Sequence, residues 1–543
     1  MSRDQPSLLD RARQAGFTPG ARDIEPLIDA VSGGEEADAR AAERALVRRA
    51  DVAMGAALAR LAGSGEDRAG ARARLARLVG RLAPHGPEEE RAAAADRLAA
   101  LLCDPSAQVR RQAALAIGRL GEDAPVEALA RAFPAESDAS ARRAVAEALG
   151  KVGGASAVAV LGAASPGGDP ELARVLERAR LTAARTAGRE EPSHIDGDAA
   201  PAAPLSIVFR CRTGLERLLG EELRATGWPA GEAAPGRVGS ELGGPLAAIH
   251  RVRLHTGVAF PLAPVPARGR DEVAAAVVER LTSDEARAVL STFTRGAVRY
   301  RIAWAAGGHR RAEVWRIARE AARRRPGLVN DPTRSTWQCR VDDGGGQVRV
   351  ELEPRRLDDP RFAYRVADVP AASHPTLAAA LARLAVGHSL APAEDVVWDP
   401  FCGSGLELVE RGLLAPARRL LGSDTDAPSL DAARRNLDAA GVAAELTRAD
   451  ALAHAPAGVT CIVSNPPMGR RVLRGQVEPL LLGFVERAGA LLRPGGVFCW
   501  ISPVPGRTRS AGARAGLRLE AADAIDMGGF AAEIQVFRRQ PAR

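Results

Sequence analysis

Residues 395–414 read DVVWDPFCGSGLELVERGLL. The apolar run that ends at Asp399 has the character of a buried strand, Gly403 and Gly405 sit in a tight turn, and the residues that follow take helical spacing. A strand, a glycine-rich loop and a helix in that order place a ligand at the carboxyl end of a strand in an open α/β sheet. Two features restrict which ligand. A dinucleotide loop needs a third small residue where Leu408 stands, and Asp399 at the entrance would repel a pyrophosphate. Phosphate-bearing dinucleotides are therefore excluded.

The next strands continue the pattern. In LLGSDTDAPSLDAARRNLDAAG (420–441) Asp424 follows Gly403 by about 20 residues, the place of a carboxylate that holds ribose hydroxyls. Asp450 in TRADAL closes a third strand, where it can accept from an adenine amine. Each aspartate alone is weak evidence, since Asp426 and Asp431 also suit a helix start, but in register at successive strand ends they describe one site. S-adenosyl-L-methionine fits it: the donor has no phosphate, and its sulfonium and ammonium tolerate Asp399.

A fourth strand, TCIVS, runs into Asn465-Pro466-Pro467-Met468. An exocyclic base amine is a poor nucleophile because its lone pair is delocalised into the ring. The Asn465 side-chain oxygen and the Pro466 carbonyl can each accept one amine hydrogen, which favours a pyramidal nitrogen with its lone pair on the donor methyl. Orientation supplies most of the rate, and the prolines fix the backbone that aims the acceptors. A plain turn is the competing reading of the two prolines.

Upstream, ASHPTLAAALARLAV (372–386) reads as a helix capped by Ser373 with Pro375 in its first turn. Before it, LSIVFRCRTGLERLLGEELRATG (205–227) is an alternating strand, a turn and an amphipathic helix, and AVRYRIAWAAGGHRRAEVWRIAREAARRRPG (297–327) repeats that plan with an arginine-loaded helix. STWQCRV, GQVRVELEP and RFAYRV read as further short strands. Residues 205–370 hold 28 Arg against 20 Asp and Glu, an excess equal to the net charge of +8 of the whole chain. A polyanion is the partner this favours, against a solvated arginine-rich surface. Trp304, inside an alternating strand, belongs to the core; Trp315 and Trp337 suit either the core or base stacking.

The first region, 1–187, is rich in Ala, Leu and Arg at helical spacing. DPSAQVRRQAALAIGRLG (104–121) is echoed by SDASARRAVAEALGKVGG (137–154), with Asp104 answered by Asp138, Arg110 by Arg142, Leu115 by Val145 or Leu149, and Gly118 by Gly150. EDRAGARARLARLVGRL (66–82) is a weaker copy. The period of about 32 to 38 residues means stacked helix pairs, the small residues allowing close approach. GREEPSHIDGDAAPAAP (188–204) reads as a linker.

Bulk properties set outer limits. Hydrophobic residues make up 46% and charged residues 26% of 543, ordinary for a globular protein of three or four units. No apolar run approaches a membrane span and MSRDQPSLLD lacks a signal-peptide core, so no membrane partner and a cytoplasmic location are expected. Six scattered cysteines without a CxxC pair point neither to a disulfide framework nor to a metal site.

The repeats at 104–121 and 137–154 resemble HEAT repeats. With DPFCGSG, GSDTD and SNPPMGRR read together, residues 205–543 resemble THUMP-domain-containing class I guanine-N2 RNA methyltransferases, with FRCRTGLERLLGEEL the piece most similar to the ferredoxin-like lead-in of such enzymes. The resemblance implies a multidomain chain: an all-α HEAT-like solenoid over 1–187, a linker over 188–204, an α+β ferredoxin-like and THUMP-like RNA-binding region over 205–368, and a Rossmann-like methyltransferase domain over 369–543. It implies S-adenosyl-L-methionine held by Asp399, Phe401, Gly403, Gly405, Asp424 and Asp450, with Asn465, Pro466, Pro467 and Met468 at the acceptor. It further implies phosphate contacts from Arg310, Arg311, Arg316, Arg323, Arg324 and Arg325, a tRNA or 23S rRNA substrate, and a protein partner for the repeats. LLRPGGVFCWISP and IDMGGFAAEIQVFRR match the late strands of that fold. The departure is Met468, where the family carries an aromatic, usually Tyr; a methionine keeps polarisable contact but loses about 1–3 kcal/mol of stacking. A degenerate methyltransferase serving as an RNA-binding adaptor, and a DNA amino-methyltransferase, remain the other readings.

Overall fold

The computed structural model describes residues 7–541 apart from 15, 66, 188–191, 309, 371 and 469–473. Helices Ala69–Leu82, Ala107–Ile117, Ala139–Val152 and Pro170–Ala187 stack in succession as the spine of a helical solenoid. Glycines make the stacking close. A Cβ added at Gly80 would lie 2.5 Å from the Ala116 Cβ, and one at Gly150 would lie 2.6 Å from the Ala179 Cα. Ion pairs join successive repeats: Arg72 to Asp104 at 2.8 Å with both side chains 6% exposed, Arg110 to Glu136 at 2.8 Å, and Arg143 to Asp169 at 2.8 Å. The expected match of Arg110 with Arg142 is thus corrected: Arg143 repeats its role, while the Arg142 guanidinium lies 5.2 Å over the Phe133 ring. Asp138 accepts from the Ala141 N–H at 2.8 Å and caps its helix, as its position predicts.

The segment read as a linker carries ordered structure in its described residues, 192–204. Strand β1 (Ser193–Ile195) is followed by Gly197 and Ala199, whose carbonyls accept from the Ala247 and Leu246 N–H groups at 2.8 and 3.1 Å. Backbone pairing needs no side-chain periodicity, so the composition of the segment did not announce it. The central region adds β2 (Leu205–Arg210), β3 (Ala233–Ala234), β4 (Arg237–Leu242), β5 (Gly257–Pro261), β6 (Val265–Pro266), β7 (Thr294–Gly296), β8 (Val298–Trp304), β9 (Leu328–Asn330), β10 (Trp337–Asp342) and β11 (Gln347–Pro354). β1 pairs antiparallel with β7, and the other strands form one mixed sheet in the order β3-β4-β2-β5-β11-β10-β8-β9, with β6 on β11. RFAYRV is not a strand: the buried Arg361 guanidinium donates to the Val252 and His255 carbonyls at 2.9 and 3.0 Å, and the Tyr364 hydroxyl donates to Glu410. These side chains anchor the segment that leads into the last domain. Trp304 and Trp337 are core residues, 8% and 0% exposed, whereas Trp315 is 40% exposed.

The last domain is a seven-stranded sheet of β12 (Val396–Asp399), β13 (Arg419–Asp424), β14 (Glu445–Arg448), β15 (Cys461–Ser464), β16 (Val497–Ser502), β17 (Leu517–Asp526) and β18 (Ala531–Arg539), in the order β14-β13-β12-β15-β16-β18-β17. All neighbours are parallel except β18, which is antiparallel to both β16 and β17. The strand order reverses at β12, so the crevice beyond β12 and β15 is the topological switch point where ligands bind such sheets. One face of this sheet shares a continuous hydrophobic core with the central region, and the other is covered around Trp398, Phe484 and Trp500. Buried ion pairs reinforce the shared side: Arg253 to Glu410 at 2.7 Å and Arg383 to Glu222 at 2.9 Å, with the two glutamates 1% and 2% exposed. No helix among the described residues is long and apolar enough to cross a membrane.

Candidate active site

A cleft of about 800 Å³ opens at the carboxyl ends of β12, β13 and β15. Gly403 and Gly405 turn the chain with φ of 49° and 79°, in the left-handed region that favours glycine. A Cβ added at Gly403 would meet no atom within 4 Å, so its absence leaves free space along the cleft wall. Gly405 serves differently. It does not line the cleft, and a Cβ there would come within 3.0 Å of the Ala433 Cβ, so it lets the following helix pack against the Ala427–Ala440 helix.

Asp424 lines the cleft and accepts from the Gly403 N–H at 3.0 Å and the Asp426 N–H at 2.9 Å. Asp450 lies on the same wall and is exposed, its Oδ1 accepting from the Leu452 N–H at 2.8 Å. Phe401 flanks the cleft with its ring edge-on to Phe484, 5.2 Å between centroids. Asp399 departs from the expected role. It is 0% exposed and off the cleft surface; its Oδ1 accepts from the Phe401 N–H at 3.1 Å and the Ser464 hydroxyl at 2.6 Å, tying the ends of β12 and β15 together. Burial, with Glu407 and Asp424 nearby, raises its carboxyl well above the usual carboxylate range.

Asn465, Pro466, Pro467 and Met468 line the opposite side. Asn465 Nδ2 donates to Ser373 Oγ at 2.7 Å, and Oδ1 is buried with no hydrogen-bond partner among the described residues. Met468 is half-buried and packs against the shared core. Ser373 does not cap the helix as expected; His374 does, accepting from the Thr376 N–H at 3.4 Å, because the helix begins only at Pro375. Ser373 instead donates to Glu407, which is 3% exposed and whose carboxyl is pushed up to about 7, chiefly by burial.

Sequence reasoning missed the cations at the mouth of the cleft. Arg212, from the turn after β2, reaches across to donate to the Asp526 carbonyl at 3.2 Å, and Arg365 pairs with Asp368 at 2.7 Å; both line the cleft. Burial first, then Arg212 and Arg365, lowers the pKa of His374. The expected phosphate-binding arginines stand elsewhere. Arg310 pairs with Asp343 and lies 4.3 Å over Trp304, Arg316 pairs with Asp271, and Arg323 and Arg324 both pair with Glu320. Arg325 is lowered by burial and by Arg287, and Arg311 has no carboxylate partner among the described residues.

Residues 363–511 match the RMKL-like methyltransferase domain, and residues 94–180 match HEAT repeats. A tRNA (guanine(10)-N2)-dimethyltransferase of Methanothermobacter thermautotrophicus is 35% identical over 127 residues, 23% of this chain and 37% of that protein. The ribosomal RNA large subunit methyltransferase K/L of Syntrophotalea carbinolica is 27% identical over 335 residues, 51% of this chain and 46% of that protein. The matches thus span less than half the length of these curated relatives. Among solved structures, SMU.472, a putative methyltransferase complexed with SAH, aligns with a TM-score of 0.50 and 17% identity over 63% of this chain and 100% of its own, a likeness of fold.

Proposed function

We propose that the chain transfers a methyl group from S-adenosyl-L-methionine to guanine N2 of an RNA in the cytoplasm, with tRNA or 23S rRNA as substrate. The observation that carries this reading is the orphaned, buried Oδ1 of Asn465, an acceptor without a donor, in the same cleft as Gly403, Asp424 and Asp450. When bound, the cofactor supplies an electrophilic methyl on a sulfonium sulfur. The residues suit it: Asp424 takes the ribose diol, Asp450 the adenine amine, Phe401 the flank of the ring, and the bare Gly403 backbone the close approach. Asn465 Oδ1 and the Pro466 carbonyl accept the two amine hydrogens and hold the nitrogen lone pair toward the methyl. Met468 takes one face of the base, and Arg212 and Arg365 at the mouth meet the flanking phosphates.

The central region is the RNA holder in this reading, a ferredoxin-like and THUMP-like unit followed at about residue 369 by the methyltransferase domain. Its arginine pairs do not oppose the role. The ion pairs of Arg316, Arg323 and Arg324 are exposed, and such pairs are weak enough for phosphate oxygens to replace the carboxylates. The HEAT repeats offer a surface to a protein partner.

The test is transfer of labelled methyl from S-adenosyl-L-methionine to unmodified tRNA and 23S rRNA transcripts, with N2-methylguanosine read by nucleoside mass spectrometry. Asn465→Ala should lower the rate by about 10²–10³-fold while calorimetry shows donor binding retained. Undiminished transfer by that variant would overturn the mechanism. Donor binding without transfer to any RNA would favour the adaptor reading that Met468 suggests, and transfer to unmethylated DNA alone would move the substrate class.

A further inference from the structure

Asn465 can work as an acceptor only if its amide is turned the right way, and oxygen and nitrogen of an amide are nearly the same size. The contacts on the Ser373 side settle the orientation. Glu407 is a carboxyl on the first turn of the Leu406–Leu414 helix, and its Oε1 accepts the Ser373 hydroxyl proton. While Glu407 is ionised it can only accept, so the Ser373 proton is committed to it, Ser373 Oγ has only lone pairs left to offer, and the group 2.7 Å away on Asn465 must be a donor. The NH₂ therefore faces Ser373, and Oδ1 is left buried without a partner among the described residues, on a side chain that lines the cleft.

We infer that Ser373 and Glu407 are positioning residues, a two-step relay that locks the Asn465 amide with its oxygen toward the acceptor amine. This deepens the proposed amine methylation and rests on it. Both residues line the cleft, and in this reading each acts on the amine through the next. The arrangement also gives a partner to Glu407, which is buried in this helix beside two other buried charged residues, Glu410 and Arg411. Without Glu407 the Ser373 proton is free to turn to the amide oxygen, which draws Oδ1 away from the substrate and presents an N–H to an amine that also carries only donors.

The experiment compares Ser373→Ala and Glu407→Leu with Ser373→Thr and Glu407→Gln, using single-turnover methyl transfer to the unmodified transcripts and calorimetric binding of S-adenosyl-L-methionine. The first pair should lose about 10- to 100-fold in the rate of the methyl-transfer step with donor affinity within about twofold of the parent. The second pair, which keeps a hydroxyl and a side-chain oxygen acceptor, should recover most of the rate. Full rates in both Ser373→Ala and Glu407→Leu, with Asn465→Ala inactive, would overturn the relay and leave the acceptor reading standing. A full rate in Asn465→Ala would remove the acceptor reading itself. Should Glu407→Leu fail to fold, Ser373→Ala, which deletes one oxygen, carries the decision alone.

Discussion

The chain has two joints, and they are built differently. Between the solenoid and the central region two polar contacts lie at the surface: Glu177 pairs with Arg319, both about half exposed, and the Arg178 guanidinium lies 6.0 Å over the exposed Trp315 ring. Between the central region and the last domain a hydrophobic core runs through uninterrupted, and Glu410 and Glu222 are buried beneath Arg253 and Arg383. The first joint lets two bodies be added side by side. The second makes the cleft a product of both, since Arg212 from the turn after β2 lines it and Gly214 packs so close to β17 that a Cβ would lie 1.9 Å from the Ala524 carbonyl oxygen.

The largest expected effect tests the inner joint. Glu410→Ala strands the Arg253 guanidinium and the Tyr364 hydroxyl in a low-dielectric setting, and should cost about 3–5 kcal/mol in chemical denaturation. An unchanged midpoint would mean that this joint resembles the outer one. Next comes the buried carboxyl of the cleft. Folding raises the Glu407 carboxyl from its ordinary 4.5 to about 7, so its contribution to stability is fully present below pH 4.5 and is lost as pH rises through about 7, where the buried charge must form. Glu407→Gln removes that penalty. It should be more stable than the parent by roughly 3 kcal/mol above pH 7, the gap closing toward pH 4.5; a gap that does not vary with pH would contradict the assignment, the profile also reading the neighbouring Asp399 carboxyl, which burial raises. The smallest effect belongs to the outer joint. Glu177→Ala should change stability by at most about 0.5 kcal/mol, and a loss several times larger would show that the solenoid is bound as tightly as the last domain is.

The contrast between local and distant contacts also separates what could be read from the chain. The α/β character of 395–464 was legible because strand, glycine turn and successive strand-end aspartates repeat a short-range pattern, and the solenoid because Gly80, Gly118 and Gly150 recur at its period. Asp399 was placed on the cleft because position at a strand end does not say which way a side chain turns; the hydroxyl of Ser464 on the neighbouring strand took it inward. The cap assigned to Ser373 failed for the same reason, since Asn465 and Glu407, far along the chain, engage that hydroxyl as donor and acceptor.

Sequence by itself therefore determined most of the element types, the repeat period and the glycine loop, which depend on short-range patterns along the chain. Tertiary structure alone decided that Arg212 reaches the cleft, that Arg310 and Arg316 find carboxylates, and that the amide of Asn465 is held by Ser373 and Glu407. The physical reason is range: hydrogen bonds and ion pairs act over a few ångströms of space, and nothing in the local pattern of a chain records which distant residues the fold will bring within that distance.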